Sequence, residues 1–196
     1  MTALDTDADT TAADPASRER WATAHQRVLE RLFAICGEAG ATGTPPDAAL
    51  ALTSLAGQLA WHAELLGELV ASSAGADEPP RPALGADGAL DQLATLAAGG
   101  ETAAVCVVVA RVVVPRLLTA VVGARRAVDA RVDGPRHRAL TLVARDLRDA
   151  LGALEPAAER ALAVPGALDE LARRCVEVER ALVAGGASSG VVGATG

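Results

Sequence analysis

Apolar residues recur along most of this chain at alternating intervals of three and four, the spacing that places side chains on one face of an α-helix. Asp14 and Pro15 are typical of a helix start, and a first helix is predicted from there to about Glu38. Its apolar seam comprises Trp21, His25, Val28, Leu32 and Ile35. The glycines expected to end this helix are Gly37, Gly40 and Gly43.

A second helix is predicted from a cap at Thr44, with Pro45 at its first position, to about Ala71. Its seam comprises Leu52, Leu55, Leu59, His62, Leu66 and Leu69. Trp61 and Leu65 form a second apolar patch, so this helix is expected to contact neighbours on two sides. Residues 72–86 are rich in Gly, Pro and Ser and predict a loop.

Three more helices and one long apolar helix follow the loop. A short helix is predicted from about Asp87 to Ala98, and an apolar helix from Glu101 to about Arg131. The sequence Asp133-Gly134-Pro135 then starts a helix that reaches about Ala163 and contains Pro156, a residue that kinks or splits helices. A last helix begins after Pro165-Gly166, and its seam comprises Leu168, Leu171, Cys175, Val178 and Leu182.

The stretch from Glu101 to Arg131 is the most apolar part of the chain, and it allows three interpretations. Its valine runs favour a strand, and its length would suffice for a membrane span. Arg111 and Arg116 argue against a span, because each charge would cost roughly 2.5–3.5 kcal/mol near the bilayer centre. Pro115 is unfavourable in a central strand. We therefore predict a buried central helix, kinked near Pro115, around which the other helices pack.

The predicted fold class is all-α, with about five to six helices and flexible ends. Residues 1–14 are expected to be a disordered acidic tail, residues 15–184 a single helical bundle, and residues 185–196 a flexible Gly/Ser tail. The N-terminus lacks the basic and apolar regions of a signal peptide, which predicts a cytoplasmic protein. The cysteines Cys36, Cys106 and Cys175 form no CxxC pair and are expected to be reduced and buried.

The composition of the chain makes one class of binding partner unfavourable. The chain has 18 Arg, no Lys and a net charge of -7, which argues against a nucleic-acid partner.

Arg111 and Arg116 are expected to mark the edges of the buried face of the central helix. Candidate acidic partners for these arginines are Glu64, Glu68 and Asp146.

Each of the three histidines lies on the apolar seam of a different predicted helix. Helix rise predicts that His25 and His62 differ by about four residues in level, or roughly 6 Å. His137 joins them at the same end of the bundle only if a long crossover precedes the central helix. A metal site formed by His25, His62 and His137 is therefore a hypothesis, weighed against three separately packed core histidines.

Trp61-His62-Ala63-Glu64, the long apolar helix, and Asp133-Gly134-Pro135 with Arg145-Asp146 together resemble the ferritin-like helical bundle superfamily. The resemblance covers about residues 16 to 163 and implies a four-helix core with one crossover. Di-iron members bind metal through Glu-x-x-His pairs, and this sequence contains none, so no metal ligand is carried over. The resemblance implies a degenerate member without a di-iron site.

Together these patterns favour a non-catalytic interaction or accessory protein over an enzyme. They predict no cofactor, no nucleic acid and no membrane, with a protein partner or a homo-oligomer as the expected assembly. The alternatives are a metal-binding or oxidoreductase-type bundle that uses the seam histidines, and a small-molecule-binding helical protein.

Overall fold

The computed structural model describes residues 15–71 and 86–184, and within them every regular element is helical. The predicted tails, residues 1–14 and 185–196, and residues 72–85 of the predicted loop lie outside that part. The helices are α1 (Pro15–Thr42), α2 (Pro46–Ala71), α3 (Asp87–Ala98), α4 (Thr102–Arg126), α5 (Gly134–Leu162) and α6 (Leu168–Ala184). The all-α class and the number of helices are thus as predicted.

Two helices extend through residues that were expected to end or bend them. Helix α1 continues past Gly37 and Gly40 to Thr42, and the chain turns only at Gly43, where φ is 78°. Such a positive φ is one that glycine adopts without steric cost, whereas the earlier glycines are helical. Helix α5 is likewise continuous across Pro156, which lies on its exposed face where water can bind the carbonyl group that proline leaves unpaired.

One long crossover determines how the chain is threaded. Helices α1 and α2 form an antiparallel hairpin with the largest helix–helix contact in the molecule. The chain then returns through α3 to the end of the bundle where α1 ends. This path is shown by a hydrogen bond of 3.0 Å, which the Thr102 hydroxyl at the start of α4 donates to the carbonyl of Ala39. Helix α4 therefore runs parallel to α2, and α5 runs back antiparallel to both.

Helix α4 lies at the centre of the bundle. Its first two turns, Thr102–Val108, contact all five other helices, and the valines of this segment are almost completely buried. One continuous apolar core includes residues from all six helices. Burying each aliphatic side chain contributes about 1.5–3 kcal/mol, which outweighs the lower helix propensity of valine. The predicted central helix is confirmed, and within the described ranges no segment forms a strand.

A single π-helical turn, Val109–Val113, interrupts α4 just before Pro115. Proline has no N–H group and its ring clashes with the carbonyl four residues earlier, here that of Arg111. In the π turn the N–H group of Val114 donates instead to the carbonyl of Val109, five residues back. The irregularity therefore lies where Pro115 predicted one.

Helix α4 also meets the length and hydropathy criteria for crossing a membrane, with a mean hydropathy of 2.2 in its most apolar window. About 67% of that window is buried by the rest of the chain. The core helix of a soluble protein meets the same criteria.

Candidate functional site

His62 is the most buried polar side chain in the bundle, with 0% of its surface exposed. It projects from α2 towards α5, where its Nε2 atom lies 3.3 Å from Oδ2 of Asp146. Asp146 is 18% exposed and also contacts the guanidinium of Arg145, its neighbour in the chain. The imidazole therefore links α2 to a carboxylate at the edge of the core.

The hydrogen bond to Asp146 determines the protonation of this imidazole. A carboxylate accepts hydrogen bonds, so Nε2 carries the proton and Nδ1 presents a lone pair. Burial lowers the pKa of His62 below its usual value, and the contact with Asp146 acts in the opposite direction. Within the described part of the chain, neither Nδ1 nor the buried Oε1 of Gln58, one turn earlier, has a hydrogen-bond partner.

His25 has a different environment, on α1. Its Nδ1 atom donates to the carbonyl of Trp21 at 3.0 Å, and its ring stacks on the Trp21 indole with centroids 3.8 Å apart. Burial lowers the pKa of His25 to about 4. A neutral ring, packed against an aromatic neighbour, is the role that these contacts support.

His137 lies in the first turn of α5 and is half-buried. Asp133 caps this helix, because its carboxylate accepts a hydrogen bond from the backbone N–H of Arg136. The cap confirms the predicted helix start. It fixes His137 nine residues before Asp146, which corresponds to about 13 Å along α5.

The crossover brings all three histidines to the same end of the bundle. The helix register places Gln26 of α1 opposite Gly67 of α2, so His25 and His62 differ in level by about six residues, or roughly 9 Å. Among residues 15–71 and 86–184, however, no group of three or more His, Cys, Asp or Glu side chains is arranged to hold a metal ion. The His25, His62 and His137 metal site stays a prediction for which this part of the chain shows no assembled donor set.

The arginines of α4 lie at the edges of its buried face, as predicted, and each forms an ion pair with a glutamate that was not among the candidates. Arg111 pairs with Glu155 on α5, and Arg116 pairs through two nitrogens with Glu179 on α6. The hydrogen bonds from Arg116 lower the pKa of Glu179. Both pairs are about one-third exposed, so they join neighbouring helices at the surface and hold no buried charge.

The cysteines follow the predicted pattern with one exception. Cys36 and Cys106 are free thiols buried in the core, and burial raises their pKa values to about 12 and about 11. Cys175 is also free, but it is only half-buried. Neutral thiols of this kind contribute packing and are poor nucleophiles.

No protein-family model, no curated protein and no solved structure matches this chain. Its function must therefore be inferred from its own residues.

Proposed function

We propose that this chain is a non-catalytic helical bundle of ferritin-like architecture that acts in the cytoplasm through contacts with other proteins. The single long crossover before α4 supports the ferritin-like part of the proposal, because such a crossover is characteristic of those bundles. The complete burial of His62 supports the absence of catalysis, because a substrate would have to displace core side chains to reach the imidazole.

The proposal rests on the exposed positions of two aromatic residues. The chain has two Trp, one Phe and no Tyr. Phe33 and Trp61 are 45% and 43% exposed, although burying such side chains would contribute more to the core than any aliphatic residue. Aromatic residues are enriched at protein interfaces, where they often account for much of the binding energy.

These two side chains belong to one surface, which we call the hairpin face. The register of α1 and α2 places Phe33 opposite about residue 59, so Trp61 lies only about 3 Å further along the hairpin. The residues around them on the outward side are exposed and uncharged. The hairpin face comprises Phe33, Ala34, Leu50, Thr53, Ser54, Gly57 and Trp61.

The hairpin face differs from an ordinary bundle surface in its lack of charge. Leu50 is 68% exposed, and the acidic side chains within one helical turn of these residues, Glu30, Glu38, Asp47 and Glu64, border the face without being part of it. An exposed apolar surface with a polar rim is typical of a protein-binding site. We infer that a partner protein covers this face.

The proposal is tested by replacing Phe33 with Ser and Trp61 with Gln in the tagged full-length chain. Protein recovered from native cells is compared for this variant, the wild type and a Val132→Gln control. Val132 is 80% exposed but lies far from the hairpin face along the chain. We expect a protein present in near-equal amount with the wild type and the control to be lost from the double variant. Recovery of the same proteins with all three chains, or of none with any, would overturn the proposal.

A further inference from the structure

Helix α6 carries two apolar stripes, of which only one is buried against residues in the described part of the chain. Leu171, Val178 and Leu182 are buried against the core. Leu168, Val176 and Val183 are 57%, 50% and 50% exposed. At 100° per residue the exposed three fall within about 80° of one another, centred about 100° from the buried stripe. We call them the outer stripe of α6.

The spacing of the outer stripe is nearly symmetric about its middle residue. Val176 lies eight residues after Leu168 and seven residues before Val183. If two copies of α6 lie antiparallel with their Val176 side chains in contact, Leu168 of each copy meets Val183 of the other. A two-fold interface requires this kind of self-complementary surface, because the same patch must serve on both sides.

The charges beside the outer stripe have the same symmetry. Asp169 and Arg180 border it on one side, both are exposed, and neither forms an ion pair with any residue in the described part of the chain. In the antiparallel arrangement, Asp169 of one copy lies within one helical turn of Arg180 of the other. The pairing occurs twice, so the two charges that α6 leaves unpaired neutralise each other across the two-fold axis.

The remaining charges of α6 are already used within the chain. Arg173 and Arg174 pair with Glu170 and Glu177, and Glu179 pairs with Arg116 of α4. Glu179 lies within the arc of the outer stripe, where its pair with Arg116 already neutralises it. The helix therefore still presents a matched apolar and charged surface on one side. We propose that α6 pairs antiparallel with α6 of a second copy of this chain, through the outer stripe. This pairing uses a different face from the hairpin face and does not rest on it.

The first test measures the mass of the full-length chain by sedimentation equilibrium over a range of concentrations. We expect the wild type to form a dimer. Val176→Glu places two carboxylates against each other at the two-fold axis, so we expect dimer affinity to fall at least tenfold with unchanged helical circular dichroism. Val132→Glu is the control and should dimerise like the wild type. A monomeric wild type, or a Val176→Glu chain that dimerises normally, would overturn the pairing.

The second test examines the register through the charge pair. Asp169→Arg and Arg180→Asp should each weaken self-association at least tenfold, because each creates two like-charge contacts. Mixing the two variants in equal amounts should restore dimers, because each mixed dimer regains two opposite-charge contacts. A mixture that stays monomeric, or single variants that dimerise like the wild type, would contradict this arrangement. The hairpin-face variant should still dimerise, so this proposal and the proposed function fail independently.

Discussion

A fully buried imidazole such as that of His62 costs free energy unless its polar atoms have partners. In the described part of the chain its polar partner is Asp146, which is itself partly solvated and pairs with Arg145. The two side chains are therefore not equivalent. Removing the carboxylate leaves a buried imidazole without a partner, whereas removing the imidazole leaves a carboxylate that water and Arg145 still reach.

This asymmetry predicts a specific result for a double-mutant cycle. Asp146→Ala should lower the free energy of unfolding by about 1–3 kcal/mol, because it leaves the Nε2–H group of His62 unsatisfied. Adding His62→Leu should restore part of this loss, because an apolar side chain of similar size needs no partner. Urea unfolding of the wild type, both single variants and the double variant measures the cycle. A double variant less stable than Asp146→Ala alone would show that the imidazole is stabilising through contacts other than this hydrogen bond.

The sequence predicts the buried position of His62 but not its pairing with Asp146. His62 lies on an apolar seam at helical spacing, so its place on the buried side of α2 follows from periodicity. Asp146 lies beside the seam of α5, and nothing local marks it as a partner. It becomes recognisable only when the register of α2 against α5 is known, and that register depends on tertiary packing. Arg111 and Arg116 illustrate the same limit, since their positions were predicted and their partners were not.

At the scale of single helices, glycine has different roles at positions three residues apart on α1. A Cβ atom on Gly40 would lie 2.4 Å from Oγ1 of Thr53 and 3.1 Å from the carbonyl oxygen of Ala49. The Thr53 hydroxyl donates to that same carbonyl, so it is not free to move away. A Cβ atom on Gly37 would meet nothing within 4 Å. The close approach of α1 and α2 therefore depends on Gly40 and not on Gly37.

Alanine substitutions at these two glycines should change stability in opposite directions. Gly40→Ala should destabilise the chain by about 1–3 kcal/mol, because the added methyl group pushes the hairpin apart. Gly37→Ala should stabilise it by about 0.5–1 kcal/mol, because alanine loses less backbone entropy in a helix. Thermal and urea unfolding monitored by circular dichroism compares both with the wild type. Equal effects of the two substitutions would mean that Gly40 does not determine the α1–α2 distance.

The same glycines explain where helix prediction from the sequence fails. Local propensity places the end of α1 near Gly37, yet packing against α2 keeps the helix intact to Thr42. Tertiary contacts override a propensity cost of about 1 kcal/mol per glycine. The start of α5 is better predicted, because Asp133 is a local capping signal that needs no partner helix.

At the scale of the whole molecule, the sequence is compatible with two bundle topologies and does not distinguish between them. Periodicity identifies the helices and their apolar faces, but an up-and-down path and a path with a crossover use the same faces. The contact between Thr102 and Ala39 decides for the crossover, because it returns the start of α4 to the end of α1. That path places all three histidines at one end, and two of them have pKa values lowered by burial.

Lowered histidine pKa values link the stability of the whole fold to pH. Above pH 6.5 both His25 and His62 are neutral in the folded and the unfolded chain. As the pH falls below 6.5, the unfolded chain binds protons that the folded chain resists, so the free energy of unfolding decreases. Carboxylates whose pKa values are lowered by arginine, such as those of Asp47 and Glu179, add to this loss only near and below pH 4. Between pH 6.5 and pH 4, the decrease in the free energy of unfolding therefore comes from the histidines.

Two effects compete in that window. The net charge of -7 approaches zero near the isoelectric point of about 5.0, which reduces repulsion and favours the folded state. That gain is small, because salt at about 0.1 M screens charges beyond roughly 10 Å. A histidine with a folded pKa of about 4 contributes a loss of about 2 kcal/mol between pH 8 and pH 5. We expect the histidine effect to dominate, so that stability falls over this range.

His25→Phe separates the two effects, because it keeps a ring against Trp21 and removes the titrating group. Its free energy of unfolding should fall by about 2 kcal/mol less than that of the wild type between pH 8 and pH 5. Urea unfolding at unit steps of pH, at one salt concentration, measures both curves. The change that remains in the variant then combines the loss from His62 with the small opposing gain from reduced charge repulsion. Parallel curves for the two proteins would show that protonation of His25 costs the fold nothing and that its ring is open to water.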